Sequence, residues 1–212
     1  MRTQEEINEI VRLLLTEYPL AGCTLDWQKD YELLFSVRLA AQCTDERVNK
    51  VTPALFARFP TLEAFAAAEV EEVEEYVRSC GFYHSKARDI VACARVLLEK
   101  YGGELPRTME ELTALPGVGR KTANLILGDV FKVPGSTVVD THCIRLTNRM
   151  GIVDDLKDPV KIEAALRPVL PPEHSSDFCH ALVLHGRAVC DARKPLCGKC
   201  CVRHLCKSFS GS

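Results

Sequence analysis

Leu115-Pro116-Gly117-Val118-Gly119-Arg120-Lys121-Thr122 is the stretch whose reading decides the fold. A helical pattern ends just before it, and an apolar helical segment, Ala123 to Val130, comes after it. Pro116 stops the first helix. Gly117 and Gly119 supply the backbone freedom that a very tight turn needs, including positive φ. The spacing therefore predicts a helix–hairpin–helix. The N–H groups of such a turn, with those that open the second helix, form a nest for one phosphate. Arg120 adds a fixed positive charge. Lys121 falls in the first turn of the second helix, where the dipole disfavours a cation and so favours the neutral, nucleophilic amine. Phosphate binding beside such an amine suits chemistry on a sugar-phosphate backbone. The bland alternative is a helix break with a solvated lysine, because G-x-G alone is a weak signal.

Away from the hairpin, helical signals dominate. Thr3 and Glu6 form a capping box before the stripe Ile7, Ile10, Val11 and Leu14. Asp30 and Thr44 read as caps of the next two helices. Short helices come next, over Leu62 to Ala68 and Val70 to Ser79, the second closed by Gly81. Ser85 reads as the start of a long helix closed by Gly102-Gly103, and Thr108 with Glu111 opens the helix that enters the hairpin. Asp140 caps a helix to Met150, Pro159 opens another, and the last runs from Ser176 to Val189. The only strand-like run, Thr137-Val138-Val139, is too short to build a sheet. The expectation is an all-α fold of about ten helices joined by short loops.

The chain of 212 residues is 47% hydrophobic, enough for one body or two small domains sharing a cleft. No apolar run reaches membrane-spanning length, and the acidic N-terminal residues lack a signal or transit pattern. The expectation is a cytoplasmic, nucleoid-associated monomer with no membrane contact. In that compartment the 11 cysteines read as reduced thiols or metal ligands rather than disulfides. The net charge of −2 does not announce a nucleic-acid partner, but its distribution does better. From Phe178 onward, Arg187, Arg193, Lys194, Lys199, Arg203 and Lys207 face Asp191 alone, whereas Glu69 to Glu75 is densely acidic.

The strongest constellation is Cys190-x6-Cys197-x2-Cys200-x5-Cys206. Four thiols in a loop-rich tail can close around one centre. Zinc modules more often set their ligands as two separated C-x2-C pairs. A compact run with one close pair suits a [4Fe-4S] cubane, whose irons each need one thiolate. Spacing favours the cubane and leaves zinc open. Cys201 adjoins Cys200, and the x5 spacing to Cys206 selects Cys200. The cluster loop would carry Arg193, Lys194 and Lys199 to phosphates, with solubility as their alternative role.

Val139-Asp140-Thr141-His142 lies just downstream of the hairpin. Asp140 reads as an N-cap, and a cap carboxylate at a cleft mouth stays ionised and can stabilise a cationic sugar or move a proton. His142 reads as structural. Gln42, in Ala41-Gln42-Cys43-Thr44-Asp45, lies at a helix–helix junction, exposed enough to enter a duplex. Phe82, after Gly81, lies at a loop tip, where an apolar side chain can wedge between base pairs while a nucleotide is flipped. A buried aromatic is the alternative for Phe82.

Leu115 to Asn124, Lys121 with Asp140, the Gln42 segment and the cysteine spacing, in this order, resemble the endonuclease III family of DNA repair glycosylases over nearly the whole chain. The family places Gln and an apolar residue, commonly Leu, at the two loop positions. Phe82 and His84 depart from its Leu-Tyr-Asn. The resemblance implies a helical barrel domain over 23–134 carrying the hairpin, and a discontinuous cluster domain of 1–22 plus 135–212. It implies a bifunctional DNA glycosylase/AP lyase acting on oxidised or ring-saturated pyrimidines in double-stranded DNA. Lys121 would attack C1′, assisted by Asp140, and β-elimination would cleave 3′ to the abasic site through a Schiff base. A monofunctional mismatch or adenine glycosylase usually lacks the lysine. A pyrimidine-dimer glycosylase/AP lyase shares it. A non-catalytic DNA-binding iron–sulfur protein would need neither Lys121 nor Asp140.

Overall fold

Local caps set most of the helix starts. A computed structural model describes residues 2–209, and among them eleven α-helices and no strand occur. They are α1 (Gln4–Glu17), α2 (Asp30–Ala40), α3 (Asp45–Arg58), α4 (Leu62–Ala67), α5 (Val70–Val77), α6 (Tyr83–Tyr101), α7 (Met109–Thr113), α8 (Arg120–Asp129), α9 (Thr141–Met150), α10 (Pro159–Leu166) and α11 (Ser175–Ala188). The all-α reading holds, and none of the described helices is long and apolar enough to cross a membrane. The Thr3–Glu6 capping box forms as read, and Thr44, Thr108 and Asp140 each accept a backbone N–H three residues on.

Three boundaries differ from the sequence reading, each because a side chain chose another partner or the backbone tightened. Asp30 is not the cap of α2. Glu32 reaches back to the N–H groups of Gln28 and Lys29, at 2.8 and 3.2 Å, and this moves the cap to Lys29. Ser85 does not open α6. Its hydroxyl donates to the Phe82 carbonyl at 2.9 Å, and the helix begins two residues earlier, at Tyr83. The segment after α5 tightens into a 3₁₀ turn, Arg78–Cys80, before Gly81 turns the chain at φ 67°.

The chain divides into two compact units. One is Thr24–Val130. In it α6 packs against α2, α4 and α5, and α8 packs against α2 and α7. Its aromatic centre sets Phe65 edge-on to Phe35 at 5.0 Å and beside Phe59 at 5.1 Å. Such contacts add about 0.5–1.5 kcal/mol each beyond burial. The other unit joins the chain up to Cys23 to the chain from Phe131. There α11 packs against α1 and α9, and Ile10, Leu14, Leu146, Ile162, Phe178 and Leu182 share one core. Cys190, Cys200, Cys201 and Cys206 lie against that core, so the cysteine loop is part of this unit.

Candidate active site, DNA-binding loops and cysteine site

The hairpin is anchored from below. Leu115 and Val118 are buried, and the Val118 N–H donates to the Leu115 carbonyl at 3.2 Å, closing the turn. Gly117 takes φ +73°, the left-handed conformation that only glycine adopts freely. A Cβ there would lie 2.8 Å from Asp89 Oδ2 and 2.9 Å from Arg38 Nε. Those two groups form an ion pair, with Arg38 Nε and Nη2 at 2.8 and 2.7 Å from Asp89 Oδ2. The hairpin therefore rests on a bridge between α2 and α6. Gly119 corrects the sequence reading. Its φ is −97°, in the ordinary extended region, and it serves as the N-cap of α8. A Cβ on Gly119 would meet no protein atom within 4 Å. Its small size therefore leaves room for an approaching ligand and relieves no strain within the protein. Arg120 and Lys121 are both exposed, in the first turn of α8.

Two other exposed points belong to the same unit. Gln42 comes after α2 with φ 56°, and Phe82 precedes α6 with φ 47°. Both are left-handed and neither is glycine, a combination that costs of order 1–3 kcal/mol and clusters at functional sites. Phe82 is 69% exposed, so the buried-aromatic alternative is excluded.

Asp140 lies in the other unit, half-buried at the N-cap of α9. Its Oδ1 accepts the Cys143 N–H at 2.8 Å, which occupies one carboxylate oxygen. His142 Nδ1 stands 3.2 Å from Arg145 Nη2. A side chain in place of Gly186 on α11 would overlap the His142 ring, which accounts for the close approach of α9 and α11 and agrees with a structural His142.

Cys190, Cys197, Cys200 and Cys206 line one cavity of about 230 Å³, with Met150, Val189 and Val202 on its walls. Cys200 and Cys201 both pack against the unit's core, but of this adjacent pair only Cys200 lines the cavity. Among the described residues no three His, Cys, Asp or Glu side chains converge on a single-ion site. Burial pushes the Cys200 thiol up to about 11 and raises that of Cys206. Arg193, Lys194 and Lys199 are exposed on this loop, and the Arg193 and Lys194 N–H groups donate to Asp191 Oδ1 at 2.8 and 3.0 Å.

Sequence reasoning missed the groups that hold the loop. Arg149 spans its start, donating to the Asp191 and Ala192 carbonyls at 2.7 Å each and to Cys190 Sγ at 3.3 Å. The buried His185 stands between Tyr18, its Nδ1 3.1 Å from the phenolic oxygen, and Cys200, its Nε2 3.3 Å from Sγ. Arg149 reads in sequence as an ordinary cation closing α9, and His185 as one member of an apolar face. Neither carries a local signal of its partners.

The family model for HhH-GPD superfamily base excision DNA repair proteins matches residues 35–172. Endonuclease III from Synechocystis sp. is 46% identical over 209 residues, covering 99% of this chain and 95% of the relative. The chain belongs to the endonuclease III family. The Escherichia coli member is 42% identical over 199 residues, 94% of this chain and 93% of the relative. A non-covalent endonuclease III–DNA complex superposes with a TM-score of 0.91 at 39% identity, covering 99% of this chain and 97% of that one. A trapped endonuclease III–DNA covalent intermediate gives the same TM-score and identity. A thermostable thymine-DNA glycosylase, 24% identical with a TM-score of 0.86, shares the fold.

Proposed function

We propose that the chain is a base excision repair enzyme, a bifunctional DNA glycosylase/AP lyase that removes oxidised or ring-saturated pyrimidines from double-stranded DNA. The observation that carries the reading is Lys121, exposed in the first turn of α8 directly after an anchored hairpin, in a chain matched over 99% of its length by an endonuclease III.

Each residue has a stated task. The hairpin backbone at Gly117 and Gly119, with Arg120, binds a phosphate. Gln42 and Phe82 enter the duplex as the damaged nucleotide leaves the stack. The neutral Lys121 amine attacks C1′ and the bond to the base breaks, the base leaving with a proton. Asp140 stabilises the positive charge that develops on the sugar and shuttles protons. The amine and C1′ form a Schiff base with the ring opened. That cation withdraws electrons, so loss of a C2′ proton expels the 3′ phosphate.

A [4Fe-4S] cluster fits the cysteine cavity, because four thiols line one space of about 230 Å³ and each iron of a cubane needs one thiolate. Cys190, Cys197, Cys200 and Cys206 would hold it. Its contribution is to order the loop that carries Arg193, Lys194 and Lys199, and no step of the excision runs through it. Arg149 and His185 would donate to the ligand sulfurs at Cys190 and Cys200.

The test is incubation with duplex DNA containing one oxidised pyrimidine, with borohydride added to reduce any Schiff base. The wild type becomes covalently attached, and Lys121→Gln does not. An adduct formed by Lys121→Gln at the native rate would assign the nucleophile to another amine.

A further inference from the structure

Lys86 lies on the buried face of α6, in line with Ile90, Cys93 and Leu97, and is 1% exposed. A buried ammonium is costly unless its donors are used. Nζ donates to the Leu39 carbonyl at 2.8 Å and to the Cys80 carbonyl at 2.7 Å. Leu39 lies in the last turn of α2, and Cys80 ends the 3₁₀ turn after α5. Both carbonyls belong to helix ends, where oxygens lack intrahelical donors and the dipole favours a cation. One side chain thus closes two chain ends at once.

Each of those ends leads directly into an exposed tip. Three residues after Leu39 stands Gln42, and two residues after Cys80 stands Phe82, both exposed and both left-handed. One turn along α6, Asp89 holds Arg38, the residue before Leu39, and the same ion pair supports Gly117 of the hairpin. Two neighbouring side chains of α6 therefore fix three points, the Gln42 tip, the Phe82 tip and the phosphate-binding turn.

We propose that Lys86 is a positioning residue for base extrusion, its single ammonium setting the separation of the Gln42 and Phe82 tips so that both can enter one duplex. The proposal rests on the reading that these tips penetrate DNA. An apolar residue of similar length would fill the same space without joining the two carbonyls. A purely structural role would lower every activity in proportion to the folded fraction. A positioning role lowers the steps that need an intact pair to be opened and spares those on a nucleotide already unpaired, because extrusion is least costly there.

The experiment compares excision of an oxidised pyrimidine paired with purine against strand cleavage at a preformed abasic site, in the same duplex sequence. Lys86→Met should lower excision by about tenfold or more, as displaced catalytic geometry does. Cleavage at the abasic site should stay within about threefold of wild type once rates are scaled to folded protein by circular dichroism. Fluorescence of 2-aminopurine beside the lesion should rise less with the variant than with wild type. Lys86→Arg, which keeps donors for both carbonyls, should restore the ratio of the two rates. If Lys86→Met does not fold, Lys86→Gln carries the same comparison. Equal loss of both rates overturns the proposal. Gln42→Ala and Phe82→Ala separate the two levels of inference. If they leave the ratio unchanged, the penetration reading fails. If they shift it and the Lys86 variants do not, Lys86 alone loses its role.

Discussion

The hairpin and the cysteine loop both present exposed basic residues, yet they are held by different forces. Leu115 and Val118 are buried under the hairpin, and an ion pair fills the space behind Gly117. The cysteine loop has no such anchor over its first part, because Asp191 to Leu196 are all exposed. Arg149 clasps its backbone at 2.7 Å, and its four thiols ring a cavity. Hydrophobic burial therefore shapes the hairpin, whereas under the proposed function ligation would shape the cysteine loop. The first should tolerate metal loss and fail on steric change, and the second should behave in the opposite way.

The strongest way to break the comparison is to remove one ligand. Anaerobically purified wild type should contain about four irons per chain. Cys200→Ser should lose them, along with ordered Arg193, Lys194 and Lys199, and Cys201→Ser should keep them. Elemental analysis reads both, and one zinc with no iron in the wild type would refute the cluster. Thermal unfolding of the Thr24–Val130 unit should persist in the iron-free variant.

Asp140→Asn comes next in expected size. Asparagine caps a helix as well as aspartate does, so stability read from urea unfolding should stay within about 0.5 kcal/mol of wild type. Base excision measured in single turnover should fall about 10²-fold or more from the lost charge. A variant that unfolds without a separate loss of rate would leave Asp140 with only its capping role.

The two hairpin glycines should differ, which sharpens the claim that this element is sterically shaped. Gly117→Ala meets both a left-handed φ and the Arg38–Asp89 pair, so it should destabilise the protein by about 1–3 kcal/mol. Gly119→Ala meets no protein atom and should change stability by less than about 0.5 kcal/mol. Both should weaken binding to undamaged duplex, read by fluorescence anisotropy. Unchanged affinity in folded Gly119→Ala would remove the phosphate from the hairpin.

The smallest effect concerns pH. Burial lowers the Lys86 pKa from its ordinary 10.5. Between the lowered value and 10.5 the unfolded chain binds more protons than the folded one, so stability rises with pH across that window. Lys86's contribution is complete above 10.5 and is lost as pH falls through the folded value. Urea midpoints measured from neutral pH to 10.5 should show this rise in wild type and a shallower one in Lys86→Met. Identical slopes would mean that the ammonium is not buried in solution.

Much of this protein is legible residue by residue, because the deciding interactions are short in sequence. A threonine just before a helical pattern can cap it by accepting the N–H three residues on, and Thr3, Thr44 and Thr108 do so. Four cysteines within one loop stay close in space, and the four of the x6-x2-x5 run line one cavity. The sequence reading erred where a local donor had two possible acceptors, as with Ser85, or where glycine was read as strain relief, as with Gly119.

Sequence alone indicated the helices, the hairpin turn and the grouping of the four cysteines, since each rests on residue type and spacing within a few turns of chain, and it pointed to Lys121 with Asp140 through resemblance to a known family. Only tertiary structure decided that Phe82 is exposed and left-handed, and that Arg38 and Asp89 stand behind Gly117. It also decided that Lys86, in an apolar stripe, joins carbonyls 47 and 6 residues away, and that His185 spans Tyr18 and Cys200. The physical reason is the same in each case. A buried polar group takes whichever partner packing delivers, and that partner can lie anywhere along the chain.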